Sequence, residues 1–200
     1  IIFWILLIIV FYTYIGYGIV LFILVKIKEL FIVKNQNIRV SEEFPDVTLL
    51  IAAYNEEAVI TKKMKNSHEL SYPEGRLKIV WITDGSNDGT NKLLNDYKDV
   101  KILFEPERKG KTAALNRAIS FIETPFVVFS DANTMLNKDA LLNLIKPFEN
   151  ESIGCVAGEK RIAAEGRDIA SSSGESFYWK YESFLKDLDS RLYSSMGAAG

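Results

Sequence analysis

The sequence predicts an α/β fold with a mainly parallel sheet flanked by helices, preceded by a transmembrane helix. Three observations carry this. Residues 1–25 contain no charged side chain. From Val47 onward, short apolar runs alternate with stretches of helical pattern, as right-handed crossovers in a parallel sheet require. Acidic or amide residues follow several of those runs, where such a sheet binds its ligands.

The apolar opening comes first. As a helix, residues 1–25 rise roughly 37 Å, enough to cross a hydrocarbon core ~30 Å thick with some tilt. A signal peptide has a shorter apolar stretch and a small-residue cleavage site, and neither is present. Lys26, Lys28, Lys34 and Arg39 follow it. The positive-inside bias then places the globular part in the cytoplasm, at the inner or plasma membrane of the cell. Residues 26–46 read as a juxtamembrane connector. A start at Ile1 and a stop at Gly200 read as a segment of a longer chain.

Composition narrows the classes. A formal net charge of -2 gives no basic footprint for nucleic acid. A single cysteine, Cys155, excludes an internal disulfide framework and a Cys-rich zinc site.

The elements follow in order. Val47–Ala53 suits a strand buried on both faces. The pattern then predicts a helix over 56–70, a strand over 77–82, a helix over 88–97 capped by Asp88 or Thr90, and a strand over 100–104. A helix over 111–122, a strand over 126–130, a helix over 138–149 and a fifth strand over 153–162 complete the alternation. This places Cys155 in the core and His68 on the surface. From 171 onward the texture changes, and 175–193 reads as a long amphipathic helix.

The motifs sit at strand ends. Asp131-Ala132-Asn133 leaves the fourth strand with two oxygen-bearing side chains at i and i+2, a pair able to meet on one Mg²⁺ or Mn²⁺ that completes its shell with phosphate oxygens. The plainer alternative is an Asx turn that starts the next helix. Asp84-Gly85-Ser86-Asn87-Asp88-Gly89-Thr90 begins like an EF-hand loop but has Asn95 where the bidentate Glu belongs, which excludes calcium. It also resembles a phosphatase metal motif, but the nucleophilic Asp-x-Asp required after an early strand is absent. What remains is either Asp84 accepting from a base or ribose, with Asp88 capping the next helix, or a tight glycine turn with a cap. Arg108-Lys109-Gly110-Lys111 precedes a helix, where a lysine can neutralise diphosphate charge; its spacing is not that of a Walker A loop.

Together, Ala53-Tyr54-Asn55-Glu56-Glu57, Thr83 through Thr90, Gly110-Lys111-Thr112-Ala113-Ala114-Leu115-Asn116 and Ser130-Asp131-Ala132-Asn133 resemble family 2 glycosyltransferases, inverting enzymes of GT-A fold that use nucleotide-sugar donors. The resemblance covers residues 47–200, and the preceding helix suits the membrane-bound branch. It implies a nucleotide-sugar-binding domain over 47–170 and the start of an acceptor-side region over 171–200.

The resemblance also implies roles. Ala53, Tyr54, Glu56, Asp84, Lys111 and Asp131 would bind the nucleotide sugar, a UDP-sugar being favoured. Tyr54 and Asp84 would hold the base, Lys111 would reach the phosphates, and Asp131 and Asn133 would hold Mg²⁺ or Mn²⁺. Asn133 stands where the family has a second Asp; a neutral amide is the weaker ligand. Glu175, Trp179 and Glu182 resemble the acceptor side of members acting on glycans or lipid-linked acceptors, with membrane lipid around them. The general base would lie beyond Gly200, so these residues alone would be inactive. Two rivals stand beside this reading. One is a catalytically inactive nucleotide-binding membrane scaffold. The other is a nucleotidyltransferase, which would need a basic, glycine-rich loop where Ala52 to Glu57 is acidic.

Overall fold

The computed structural model describes residues 1–31, 44–159 and 169–194, the last stretch as backbone alone over 169–177 and at 179. The described residues fall into two compact units, one of two long helices and one built on a sheet.

In the first unit, helix α1 (Ile2–Phe31) runs longer than the uncharged segment and takes in Lys26 and Lys28. It passes through a π-helical turn at Tyr12–Gly16, where the Tyr12 ring lies against Gly16; a Cβ there would stand 3.1 Å from Tyr12 Cδ2. Its partner in this unit is the C-terminal helix (Ile169–Leu192). Leu188 of that helix is buried with Leu21 and Val25 of α1. Gly18 allows the close approach, since a Cβ would lie 2.8 Å from the Tyr181 hydroxyl oxygen. Tyr181 Oη donates to the Tyr14 carbonyl at 2.8 Å, and Tyr17 Oη donates to Asp189 Oδ1 at 2.8 Å. Lys28 Nζ donates to the Arg191 and Leu192 carbonyls, satisfying acceptors that a helix C-terminus leaves open.

The second unit is a sheet of four strands, β1 (Val47–Ala53), β2 (Leu77–Asp84), β3 (Lys101–Glu105) and β4 (Phe126–Asp131). All pairings are parallel and the order is β3-β2-β1-β4. The chain adds β2 and β3 on one side of β1, then crosses back to lay β4 on the other. Order therefore reverses between β1 and β4.

The helices are α2 (Ile60–His68, entered by a 3₁₀ turn at Glu57–Val59), α3 (Thr90–Leu94), α4 (Lys111–Ile119) and α5 (Ala140–Ile145, continued by a 3₁₀ turn at Lys146–Glu149); the C-terminal helix is then α6. Strand alternation splits the core into two layers. Val47, Leu49, Ile51 and Trp81 pack with Ile60 and Met64 of α2, Leu94 of α3, and Leu141 and Ile145 of α5. Trp81 Nε1 donates to Met64 Sδ at 3.2 Å. On the other face, Leu50, Val80 and Ile82 pack against Ala114 and Ala118 of α4. Small residues on α4 bring its backbone close to the strand ends.

Several elements differ from the sequence expectation. β2 and β4 extend to include Asp84 and Asp131, so the acidic residues end the strands instead of following them. The helix expected over 88–97 is only Thr90–Leu94. Its N-cap is Gly89, without a side-chain cap, while Asp88 Oδ1 accepts the Thr90 N–H at 3.0 Å from one position earlier. No strand forms over the described part of the expected fifth strand, 153–159; positions 160–162 lie outside the described residues. A strand needs a neighbour's ladder, and 153–159 have none among the described residues. Cys155 is accordingly exposed, not core.

Candidate functional site

The reversal of strand order places the carboxyl ends of β1 and β4 side by side. Ala52 pairs with Asp131 across them, and the Ala132 N–H donates to the Ala52 carbonyl at 3.2 Å. Crevices at such a switch point are where α/β sheets bind ligands. Here a cleft of about 310 Å³ opens, lined by Ala53, Tyr54, Glu56, Asp84, Lys111, Asp131 and Asn133. Every residue singled out for the site thus faces one concavity. Its walls also include Ala52, Ile82, Arg108, Gly110 and Ala114.

Alternation along β4 decides what surrounds Asp131. Asp131 is level with Ala52 and lies on the α4 face, where Lys111, the first residue of α4, brings Nζ to 2.5 Å from Asp131 Oδ1. Ser130, level with Ile51, lies on the opposite face. There it meets Lys63 of α2, whose Nζ donates to Ser130 Oγ at 2.7 Å and to the Thr134 carbonyl. The end of β4 is bracketed by lysines from both helical layers. Burial pulls the Lys63 ammonium down to about 8, against the opposing influence of the Asp131 charge.

Asp84 ends β2 almost fully buried, at 4% exposure. Its Oδ2 accepts the N–H groups of Lys109 and Gly110 at 3.0 and 2.6 Å, so the carboxylate cradles the loop that leads into α4. Gly85 turns with φ +69°, and a Cβ there would stand 2.7 Å from the Arg108 amide nitrogen. The loop rests on this glycine. Asp84 Oδ1 is buried with no hydrogen-bond partner among the described residues, and pairs at 3.8 Å with the Arg117 guanidinium. Asp84 is therefore first a structural acceptor, a role its place in the sequence does not announce.

The loop after β1 is tied to the loop after β2. Asn55, with φ 53°, donates its N–H to Ser86 Oγ and its amide to Asn87 Oδ1, and accepts the Asn87 N–H. The Glu56 N–H donates to Thr90 Oγ1 at 2.9 Å. The Gly89 N–H donates to Glu57 Oε2, and the Glu57 N–H to Asp88 Oδ2. Burial pushes the Asp88 carboxyl up, but hydrogen bonds from Thr90 and Glu57 outweigh it and hold the group below the usual range. These bonds leave Tyr54 at the rim with Arg108 stacked on it, its guanidinium carbon 3.9 Å from the ring centroid, a cation–π arrangement.

Metal fit can be tested on the donor set. Asp131 and Asn133 offer one carboxylate and one amide oxygen, and no group of three or more His, Cys, Asp or Glu gathers at one point among the described residues. That set cannot cage an ion alone. It does suit Mg²⁺ or Mn²⁺ that takes its remaining oxygens from a diphosphate and water.

Sequence reasoning missed Lys63 and the stacking of Arg108. A signal for Lys63 existed. Ile60, Lys63, Met64 and Ser67 follow i, i+3, i+4, i+7 spacing and form the buried face of α2. Arg108 left no periodic trace. Glu182 lies on α6, paired with Lys186 at 2.8 Å; the side chains of Glu175 and Trp179 lie outside the described residues.

Known proteins resemble this chain in sequence and in fold. The chain is 35% identical over 125 residues to a beta-monoglucosyldiacylglycerol synthase of Nostoc sp., covering 60% of this chain and 27% of that protein. It is 32% identical over 125 residues to a poly-beta-1,6-N-acetyl-D-glucosamine synthase of Staphylococcus epidermidis, covering 60% of this chain and 30% of the other. It therefore spans less than a third of the length of these curated relatives. Among solved structures, a mannosyltransferase of Pyrobaculum calidifontis in complex with GDP-Man and Mn²⁺ matches with TM-score 0.61 at 27% identity, over 77% of this chain and 46% of that one. Staphylococcus aureus TarS in complex with UDP-GlcNAc shares the fold, with TM-score 0.54 at 20% identity over 62% of this chain and 37% of its own. The flanked parallel sheet is thus of GT-A type. The model of glycosyl transferase family 2 matches residues 48–199, all of the sheet but Val47 together with the strand-end cleft, and the chain belongs to that family.

Proposed function

We propose that the whole protein is an inverting glycosyltransferase that moves a hexosyl or N-acetylhexosaminyl group from a nucleotide-diphosphate sugar to a polysaccharide or lipid-linked acceptor. One observation carries the reading: the Lys111–Asp131 ion pair shares the switch-point cleft with Tyr54 and Asp84. A nucleotide needs an aromatic or hydrogen-bonding end for its base and a cationic end for its phosphates, and this cleft has both.

The roles follow from position. Tyr54 and Asp84 receive the base, with Asp84 Oδ1, which faces the Arg117 guanidinium but accepts no hydrogen bond among the described residues, available to a base N–H once the pocket adjusts, since buried acceptors are rarely left without a hydrogen bond. Ala53 and Glu56 line the nucleoside end. Lys111, at the first turn of α4, presents its ammonium to the diphosphate beside backbone N–H groups that favour an anion. Asp131 and Asn133 would hold Mg²⁺ or Mn²⁺, which when bound supplies charge neutralisation for the leaving diphosphate. Stabilising that developing charge is worth several kcal/mol of barrier. The base that deprotonates the acceptor hydroxyl is assigned to the chain beyond Gly200. Residues 47–170 form the donor domain in this reading, and 171–200 begin the acceptor side.

The membrane reading rests on α1, whose best window has mean hydropathy 2.4, with the globular part on the cytosolic side. The α6 contact bears on it. α6 carries Glu182, Lys186, Asp187 and Asp189 alongside α1, and ionised side chains cost about 2.5–3.5 kcal/mol each at a bilayer centre. Full insertion of α1 therefore requires α6 to part from it.

A second reading, a nucleotide-binding scaffold without catalysis, is favoured only by the neutral Asn133. Asp131→Ala in the full-length protein separates the two. Transfer from a nucleotide sugar is expected to vanish while the melting curve stays intact, and unchanged turnover would sink the assignment. A wild-type protein that binds the nucleotide but transfers nothing would favour the scaffold.

A further inference from the structure

We propose that Lys63 is a positioning residue of the donor site, pinning the Asp131–Asn133 loop from beneath the sheet and adding a second positive charge behind the diphosphate. This rests on the donor-site reading above.

The geometry is specific. Lys63 is fully buried, at 0% exposure, and makes no ion pair among the described residues. Its two acceptors, Ser130 Oγ and the Thr134 carbonyl, stand on either side of Asp131 and Asn133. Three residues further along α2, Asn66 closes the loop: its Nδ2 donates to the Leu136 carbonyl at 2.7 Å and its Oδ1 accepts the Leu136 N–H at 2.9 Å. One helix face thus fixes Ser130, Thr134 and Leu136, and the two candidate metal-binding side chains lie within that span.

Pinning alone does not call for a lysine. A neutral amide could satisfy both acceptors without taking an ammonium out of water, a step that stays costly even after the surroundings relax. A charge retained there acts on something near it. Because Lys63 is buried, its field is weakly screened and acts on Asp131 and on whatever anion Lys111 meets. Burial lowers the ammonium pKa, and the Asp131 charge works against that lowering, so the two groups interact across the end of β4. The site then holds two lysines and an Asn where an Asp-x-Asp site would hold a second carboxylate. Its charge balance is moved toward the diphosphate itself.

The test uses the full-length protein and calorimetric titration with UDP and, separately, GDP, on wild type, Lys63→Met and Lys63→Gln. Melting curves are recorded for each. For the nucleotide that wild type binds, the expectation is Kd raised at least tenfold in Lys63→Met, with melting unchanged or raised because a buried charge has gone. In Lys63→Gln, which can keep the hydrogen bonds, Kd is raised several-fold. Kd within twofold of wild type in both folded variants overturns the role of Lys63 alone. Loss of cooperative melting in both makes Lys63 a structural residue and also overturns it. Wild-type protein that binds neither nucleotide overturns the donor-site reading, and this role with it.

Discussion

Lys111 Nζ lies 2.5 Å from Asp131 Oδ1, joining the first residue of α4 to the last residue of β4. Both side chains are partly exposed, at 54% and 29%, and exposed pairs contribute only about 0–1 kcal/mol to stability. In the proposed donor site, their closeness is better understood as a preset distance between a cation and the carboxylate that would hold the metal. Lys111→Ala is expected to weaken UDP or GDP binding tenfold or more in calorimetry, with little change in Tm. Equal affinity would remove Lys111 from the site.

In the proposed donor site, Asn133 would set the strength of metal binding. Asn133→Asp adds the carboxylate that the structure lacks, and carboxylates bind hard cations better than amides. We expect about a tenfold fall in the Mn²⁺ concentration that half-saturates the nucleotide-loaded protein, read from the Mn²⁺ paramagnetic resonance signal. No change would place the metal away from position 133.

Gly85 is irreplaceable for two independent reasons. Its φ of +69° disfavours any side chain, and a Cβ would collide with the Arg108 backbone. Gly85→Ala should cost about 1–3 kcal/mol, the range for strained backbone, measured by chemical denaturation. It should also weaken nucleotide binding, because the loop it displaces is the one Asp84 holds. A fully stable variant with wild-type affinity would contradict this.

The stability of the protein should depend on pH through Lys63. Its ammonium is pulled from 10.5 to about 8 in the fold, so the unfolded chain binds the extra proton between those values. Stability therefore rises as pH goes from 8 toward 10.5, and the burial cost is fully present below 8. Across that window one pH unit adds at most about 1.4 kcal/mol. The stability gap between Lys63→Met and wild type should narrow over the same range in denaturation curves. A gap independent of pH would show that Lys63 titrates normally.

Leu21 and Leu188 pack together where α1 meets α6. In Leu21→Cys/Leu188→Cys protein with Cys155 replaced by Ser, a cross-link should form readily in the absence of membranes. It should fall several-fold after reconstitution into vesicles, because charges on α6 oppose insertion. Equal yields in both would mean that α1 does not span the bilayer.

Much of the fold was legible from pattern alone. Val47–Ala53 and residues 126–129 are largely apolar runs with no turn residue, so local propensity and burial agree on strand. Tyr54, Asp84 and Asp131 were legible as a group because a parallel sheet delivers its strand ends to one edge, and Lys111 as the residue that opens the helix before β4. The expected strand over 153–162 failed over its described part because a strand depends on a neighbour that its own residues cannot specify.

By itself, then, the sequence determined the alternation, the strand ends and the chemical types gathered there. Only the tertiary structure decided that β4 lies against β1, that Asp84 commits Oδ2 to the amides of Lys109 and Gly110, and that Lys63 sits buried under Ser130 and Thr134. The physical reason is the two-residue period of a strand. It sends Ser130 to one helical layer and Asp131 to the other, and which lysine waits in each layer is set by helices folded from distant parts of the chain.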